Sequence, residues 1–178
     1  MKNTKKIAFA LVASFIIFES SVAMAFGNSA NVEITGEIVS NTCTVDKTTV
    51  PVDLGRVSVN DFSSANGSTA GLTAFTVTLK DCGEDTTSVL VSASGTKDDA
   101  DNEAFKLNNT DGAQGVAVLI KDEKQRVLIP NDESSTSEYS IQPQKGENDL
   151  QFYAEYVKTG EIKTGAANTS ATLNIDYK

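Results

Sequence analysis

The sequence predicts an all-β sandwich, and three observations support that prediction. After Phe26, apolar and polar residues alternate in short runs, which is the period expected of strands with one buried face. Helical periodicity is hard to find over the same stretch. Clusters of Gly, Asn, Asp and Ser separate the runs, at residues 63–71, 95–102, 108–115 and 131–137. Strands at this spacing are typical of a sandwich, and a closed barrel is the alternative.

The first 25 residues have the pattern of a secretory signal peptide. Three lysines precede an apolar run at residues 7–18, and Ala-Met-Ala at residues 23–25 supplies a small-residue cleavage site. The apolar run is shorter than the roughly 20 residues that span a bilayer, so a membrane anchor is the less favoured alternative. We therefore expect an exported mature chain that begins at Phe26, folds as one domain and has no integral membrane segment.

The strand predictions follow the alternating runs in chain order. Residues 116–120 are apolar throughout, which predicts a strand that is buried on both faces or nearly so. Residues 75–79 alternate cleanly, and residues 32–38 alternate up to a slip at Val39. The predicted strands are residues 32–38, 50–54, 75–79, 89–93, 116–120, 127–129, 139–141, 150–157 and 171–178.

Cys43 and Cys82 predict a structural disulfide. An even number of cysteines in an exported chain is typical of disulfide bonding. In the chain-entropy model, a loop of this length stabilises the fold by about 4 kcal/mol. A redox pair usually has C-x-x-C spacing, which is absent, and a metal site would favour His, which the chain lacks.

Charge and composition exclude several classes of function. The chain has a formal net charge of −9 and no basic cluster, so we expect neither nucleic acid nor anionic lipid as a partner. With no His, no G-x-S-x-G and no phosphate-binding Gly loop, an enzyme is not expected. Residues 97–103 are acidic but lack the Gly and the terminal Glu of an EF-hand, which favours a solvated loop over a calcium site. We expect no metal and no cofactor.

The segment from Gly165 to Lys178 points most directly to function. Ala171, Leu173, Ile175 and Tyr177 alternate with polar residues, and the sequence ends one residue later. We therefore expect this strand to need a neighbour from earlier in the chain or from another molecule.

Several segments together resemble the structural subunits of chaperone–usher pili, the type 1 fimbrial protein family. The matching pieces occur in the family's order across residues 26–178, and they end with Gly165 fourteenth from the end and Tyr177 in the penultimate position. The other pieces are GEIVSNTCTVD at residues 36–46, VDLGRV at 52–57, LKDC at 79–82, GVAVLIKD at 115–122, FYAEY at 152–156 and TGAAN at 164–168.

The resemblance implies an incomplete immunoglobulin-like sandwich, the pilin fold, which lacks its seventh and final strand. The missing strand leaves a groove beside the C-terminal strand. A periplasmic chaperone fills the groove first, and the N-terminal extension of a neighbouring subunit replaces the chaperone in the fibre, by strand addition at an exposed edge. An outer-membrane usher is the other implied partner.

Carried onto this sequence, the resemblance makes residues 26–38 the donor-strand extension and residues 39–178 the pilin domain. Val32, Ile34 and Ile38 would point into a neighbour's groove, with Gly36 on the same face. The groove edge, which is also the chaperone-binding edge, would be formed by Gly165, Ala171, Leu173, Ile175 and Tyr177.

The implied function is a structural subunit of a bacterial surface fimbria that supports adhesion, with neighbouring subunits joined head to tail. A chain of this length has no room for an extra lectin domain, which favours a shaft subunit. The alternative is a monomeric periplasmic or secreted β-sandwich binding module. In that case residues 32–38 would be the domain's own first strand, and the last strand would be paired within the domain.

Overall fold

A computed structural model describes residues 33–36, 42–108 and 110–178 of the chain. Residues 33–36 belong to a first unit, residues 1–36, and they have exposed side chains and no regular secondary structure. The second unit comprises residues 37–178. The predicted signal peptide and most of the predicted extension, including Val32 and Ile38, lie outside the described residues. Their structure therefore stays a prediction.

The described part of the second unit is built from strands, with two short 3-10 turns at Val59–Asp61 and Pro143–Lys145. It contains no α-helix. In chain order the strands are β1 (Thr44–Val45), β2 (Thr69–Lys80), β3 (Ser88–Gly95), β4 (Gln114–Asp122), β5 (Ser137–Ser140), β6 (Glu147–Lys163) and β7 (Ala171–Tyr177).

These strands form two separate antiparallel sheets. One sheet has the order β1-β2-β6-β4, and the other has the order β5-β3-β7. The prediction of an all-β sandwich is confirmed, and the alternative of a closed barrel is wrong because the two sheets are not joined into one.

The core lies between the two sheets, and strand register places the apolar positions there. β3 and β7 pair so that Val91 lies opposite Ile175 and Ala93 lies opposite Leu173, which directs the apolar residues of both strands to one face. Phe152 of β6 is fully buried and packs against Phe75 of β2, with ring centroids 5.6 Å apart. The other buried core residues include Val77, Leu79, Val89, Phe105, Ile120, Leu128, Tyr139 and Leu150.

β4 is covered on both faces, as its sequence predicts. Val118 and Ile120 belong to the main core. Ala117 and Leu119, on the opposite face, pack in a second small cluster with Ala104. An edge strand buried in this way needs cover on its outer side, and the chain between β3 and β4 supplies it.

The disulfide prediction is confirmed, because Cys43 and Cys82 are bonded. This bond ties the chain just before β1 to the chain just after β2, so it fixes one end of the first sheet.

A buried carboxylate links the two sheets at another point. Asp122, at the end of β4, is 1% exposed, and its Oδ2 accepts a hydrogen bond of 2.8 Å from the hydroxyl of Ser137 in β5. The same carboxylate accepts hydrogen bonds from the Lys124 amide and from the amide and guanidinium of Arg126. Burial alone would raise the pKa of Asp122, but the hydrogen bonds from Arg126 and Ser137 outweigh it and lower the pKa.

Within the second unit, two predicted strands are not strands in the structure. Residues 50–54 form no ladder, although Val50, Val52 and Leu54 are half-buried against the core. Residues 127–129 make only one isolated bridge, between Val127 and Lys121. In both segments apolar residues recur because their side chains pack on the core, whereas a strand also needs a paired backbone.

β2 and β6 are the two strands that extend furthest beyond their predicted bounds. β2 begins at Thr69, inside a predicted turn, because the positive φ of Gly71 (76°) lets the strand continue through a bulge. β6 continues to Lys163, where it pairs with Gln114 across a second bulge.

Candidate binding groove

An open groove of about 1200 Å³ runs along one side of the second unit. Its two rims are β7 and the segment of residues 47–57, and its floor comes from β2, β4 and β6. The apolar residues that line it include Val45, Val50, Val52, Leu54, Val57, Val59, Phe62, Phe75, Val77, Val116, Val118, Ile120, Ala154, Tyr156, Ile162, Ala171, Leu173 and Ile175.

β7 forms the first rim. One of its edges pairs with β3, and among the described residues no strand pairs with the other edge. Leu173 and Ile175 are half-buried and line the groove, whereas Asn174 and Asp176 are exposed on the opposite face. The free edge therefore presents backbone groups and apolar side chains to the same space.

Residues 47–57 form the second rim. Within this segment the side chains of Val50, Val52 and Leu54 are half-buried and those of Pro51 and Asp53 are exposed. Strand ladders do not reach it in the part of the chain that the structure describes. It thus has the side-chain alternation of a strand without a neighbouring strand.

The floor of the groove is lined by the large side chains of Tyr156 and Phe75 and by the smaller side chains of Ala154 and Val77. Burial, with a smaller contribution from the negative charge of Asp53, raises the pKa of Tyr156. The neutral hydroxyl donates a hydrogen bond of 2.8 Å to the carbonyl of Ala167. The floor is therefore joined to the loop that precedes β7.

Residues 164–170 form the wall at the start of β7, and they are held by the chain before β4. The Ala113 amide donates to the Ala166 carbonyl at 2.9 Å, and the Asn108 amide donates to the Asn168 carbonyl at 2.8 Å. At Gly165, a Cβ would lie 2.5 Å from the carbonyl carbon of Gly112. Only glycine permits this backbone approach, so Gly165 fixes the wall by close packing.

The hydroxyl of Tyr177 anchors the C-terminal end of β7. It donates a hydrogen bond of 3.1 Å to the carbonyl of Cys43. Tyr177 packs against the main core but does not line the groove. The structure therefore places four of the five predicted edge residues on the groove, namely Gly165, Ala171, Leu173 and Ile175, and places Tyr177 beyond them.

Of the four residues predicted for the donor strand, the structure describes two. Ile34 is 89% exposed, an unusual position for a large apolar side chain, and a Cβ at Gly36 would meet no atom within 4 Å. Val32 and Ile38 lie outside the described residues.

Sequence reasoning missed most of the floor and the role of residues 47–57 as a rim. The alternation at residues 50–54 was visible, but alternation alone does not distinguish a paired strand from an unpaired one. Tyr156 and Phe75 were predicted only as members of strands, because their positions in the chain do not reveal which side of the core is open.

The groove has the chemistry of a site for an extended peptide. Two unpaired edges face each other across an apolar floor, so a strand placed between them would gain main-chain hydrogen bonds and bury alternate side chains. In the described part of the chain, no group of His, Cys, Asp or Glu is placed to hold a metal ion, and no helix is long and apolar enough to cross a bilayer.

Comparison with known proteins identifies relatives over nearly the whole chain. The family model described as "Fimbrial protein" matches residues 32–178. The fimbrial-like protein YcbV of Escherichia coli K12 is 34% identical over 156 residues, which cover 85% of this chain and 88% of that protein. The type-1 fimbrial protein A chain of the same strain is 30% identical over 177 residues, which cover 94% of this chain and 96% of that protein.

Solved structures agree with this result. A type I fimbria protein and antigen of Burkholderia pseudomallei is similar with a TM-score of 0.58 and 32% identity, over 76% of this chain and 89% of that one. The P pilus rod subunit PapA is similar with a TM-score of 0.62 and 16% identity, over 76% of this chain and 99% of that one, which supports the fold alone. The sandwich described above is thus the immunoglobulin-like pilin fold.

Proposed function

The chain belongs to the fimbrial protein family, and from this membership we propose that it is a chaperone–usher pilus subunit that polymerises by donor-strand exchange. Its family makes it a structural subunit of a fimbria on the bacterial surface and not an enzyme. The finer proposal concerns how one subunit joins the next.

The observation that carries the proposal is the groove with two unpaired edges. The free edge of β7 and the segment of residues 47–57 face it from opposite sides, and both direct apolar side chains into it. An unpaired strand edge beside exposed apolar surface is unfavourable in water, so such a groove favours an added strand.

The N-terminal extension has the composition to supply that strand. Val32, Ile34 and Ile38 lie two or four residues apart and would point to one face of a strand, with Gly36 between the last two. Each branched side chain would contribute roughly 1.5–3 kcal/mol if fully buried. Gly36 would suit a place where the bulky floor leaves no room for a side chain.

The contact is heterologous, because the extension of one subunit fills the groove of another. Contacts of this kind generate open fibres when the rotation does not close a ring. Under this proposal a signal peptide at residues 1–25 directs export, a periplasmic chaperone occupies the groove until an outer-membrane usher brings subunits together, and the fibre supports adhesion.

The test is deletion of Phe26–Thr35 from the mature chain. Wild-type protein is expected to form head-to-tail polymers, measured by light scattering and electron microscopy, and the truncated protein is expected to form none. A finer variant replaces the inward residues Val32 and Ile34 with Ser. Its matched control replaces outward residues instead, as Asn31→Gln with Thr35→Ser, and should polymerise normally.

Fibres formed by the truncated chain would show that the extension is not the donor. The alternative, a monomeric binding module, predicts that the full mature chain stays monomeric at every concentration tested. Size-exclusion chromatography with light scattering distinguishes the two functions.

A further inference from the structure

We propose that the groove selects its donor strand by charge as well as by shape, and that the occupant it favours is the acidic extension of a second copy of this chain. Arg56, Lys47 and Lys163 would attract Glu33 and Glu37 of the incoming strand. This inference rests on the proposed function, because it assigns residues that choose the donor.

The groove is basic on an acidic protein. Its lining contains Lys47, Arg56 and Lys163 but one acidic residue, Asp53, whereas the whole chain has a net charge of −9. The Oδ1 of Asp53 also accepts a hydrogen bond of 2.8 Å from the Gly55 amide, which partly satisfies that carboxylate. An acidic ligand would therefore meet a local attraction that the rest of the surface does not offer.

None of the groove cations forms a salt bridge within the described part of the chain, although, after the hydrogen bond from Lys80, the charge of Lys47 makes a small contribution to lowering the pKa of Asp46. All three side chains belong to exposed residues, and none makes a salt bridge there. Five other basic residues do form salt bridges, namely Lys80, Lys106, Lys121, Arg126 and Lys178. The groove cations are therefore the ones available to a ligand that lies along the rims.

The extension supplies the matching charges. Residues 26–38 contain two acids, Glu33 and Glu37, and no base. Both alternate with the apolar residues proposed to face the groove floor, so they would point outward, toward the level of the rims. At about 3.3 Å per residue the two carboxylates would be about 13 Å apart, so they would contact different parts of the groove.

The three groove cations come from different parts of the lining. Lys47 and Arg56 belong to the rim segment of residues 47–57, whereas Lys163 ends β6 and lies next in the chain to the wall of residues 164–170. The two donor glutamates, about 13 Å apart, would therefore each meet a cation from a different part of the groove.

The test uses charge reversal in the full mature chain. Glu33→Lys with Glu37→Lys makes the extension basic, and Arg56→Glu with Lys163→Glu makes the groove acidic. Each double variant should polymerise about fivefold more slowly than wild type at 50 mM NaCl, the size expected of about one exposed ion pair, and the fourfold variant should recover. At 0.5 M NaCl the differences should shrink, because salt screens exposed charges.

Matched controls carry the same change of net charge away from the groove. They are Glu84→Lys with Glu133→Lys, and Lys124→Glu with Lys145→Glu, all at exposed positions. Neither control should reproduce the slowing or the recovery.

The outcomes separate this inference from the proposed function. If deletion of residues 26–35 blocks polymerisation but charge reversal has no effect, the charge inference is wrong and the donor strand stands. If the truncated chain polymerises, both the charge inference and the proposed donor strand are wrong. If the protein remains monomeric while its melting temperature follows the charge changes, the extension fills its own groove, which overturns the assignment to a second copy.

Discussion

Asp122 illustrates how a single polar residue can join the two layers of this sandwich. Its carboxylate is buried, yet both oxygens are hydrogen-bonded, and the bond from Ser137 crosses from one sheet to the other. A buried carboxylate that loses its charge or its partners destabilises a fold by more than an exposed ion pair does.

Replacement of Asp122 with Asn should lower the free energy of unfolding at pH 7 by about 2 kcal/mol, the size expected for hydrogen bonds to a charged group. The folded-state pKa of Asp122 is lowered, so its contribution is complete above the unfolded value near 3.9 and is lost as the pH falls below it. Urea unfolding at pH 7 and pH 3 should therefore show a smaller difference between variant and wild type at pH 3.

The control for this prediction is Asp111→Asn, because Asp111 is exposed. It should change stability by less than about 0.5 kcal/mol at either pH. If Asp122→Asn lowers the free energy of unfolding equally at pH 3 and pH 7, the effect comes from altered packing and not from the lost charge.

At the scale of single elements, alternation predicted the residues that face the core better than it predicted backbone pairing. β2, β3, β4 and β6 were predicted from apolar positions that are mostly buried in the structure, and β7 from positions of which Leu173, Ile175 and Tyr177 are half-buried. Residues 50–54 have the same side-chain pattern, but no strand pairs with them in the part of the chain that the structure describes. Residues 127–129 form a run too short for a ladder, and they make one isolated bridge to β4.

Part of the candidate site was predictable for the same reason. Leu173 and Ile175 lie where the terminal alternation suggested, on a strand with one free edge. The opposite rim, the floor and the wall bring together residues that are distant in sequence, such as Tyr156 and Ala167 with residues 47–57. Periodicity within one segment contains no information about these contacts.

Gly115 sets the bulge between β4 and β6, and its replacement should disturb both strands. Its φ is 70°, and a Cβ there would lie 2.2 Å from the Glu161 carbonyl oxygen, which is backbone and cannot rotate away. Gly115→Ala should therefore destabilise the fold by about 3 kcal/mol, as the sum of left-handed strain and overpacking. Urea unfolding measures the change.

Gly67 provides the matched comparison, because its φ is 83° but a Cβ there would meet no atom within 4 Å. Gly67→Ala should lower the free energy of unfolding only by the left-handed backbone strain, roughly 1–2 kcal/mol. If the two substitutions lower the free energy of unfolding equally, the bulge tolerates a side chain at position 115, and the close approach of Gly115 to the Glu161 carbonyl does not matter.

At the scale of the whole molecule, the proposed donor strand would link the stability of the fold to the assembly of the fibre. If the proposed donor strand binds the native state and not the unfolded chain, it stabilises the native state by mass action. The stability of the fold and the formation of the polymer would then both depend on the same strand addition.

A peptide of residues 26–38 added to the mature chain should therefore raise its melting temperature in a concentration-dependent way. At 100 times the dissociation constant the gain is about 2.7 kcal/mol. A control peptide with Ile34 and Thr35 exchanged keeps the composition but moves an apolar side chain off the inward face, so it should stabilise less. Equal shifts with both peptides would contradict strand addition in a fixed register.

The hydrogen bond from Tyr177 to Cys43 and the pairing of β7 with β3 both need residues from the last strand of the fold. The hydrogen bond joins positions 134 residues apart, and β3 cannot gain its β7 neighbour until residues 171–177 are present. In a chain emerging from its amino terminus, the edge of β3 that pairs with β7 therefore stays unpaired until the step in which residues 171–177 emerge. The interval between first emergence and that step is the period in which an escort protein would be most useful to it.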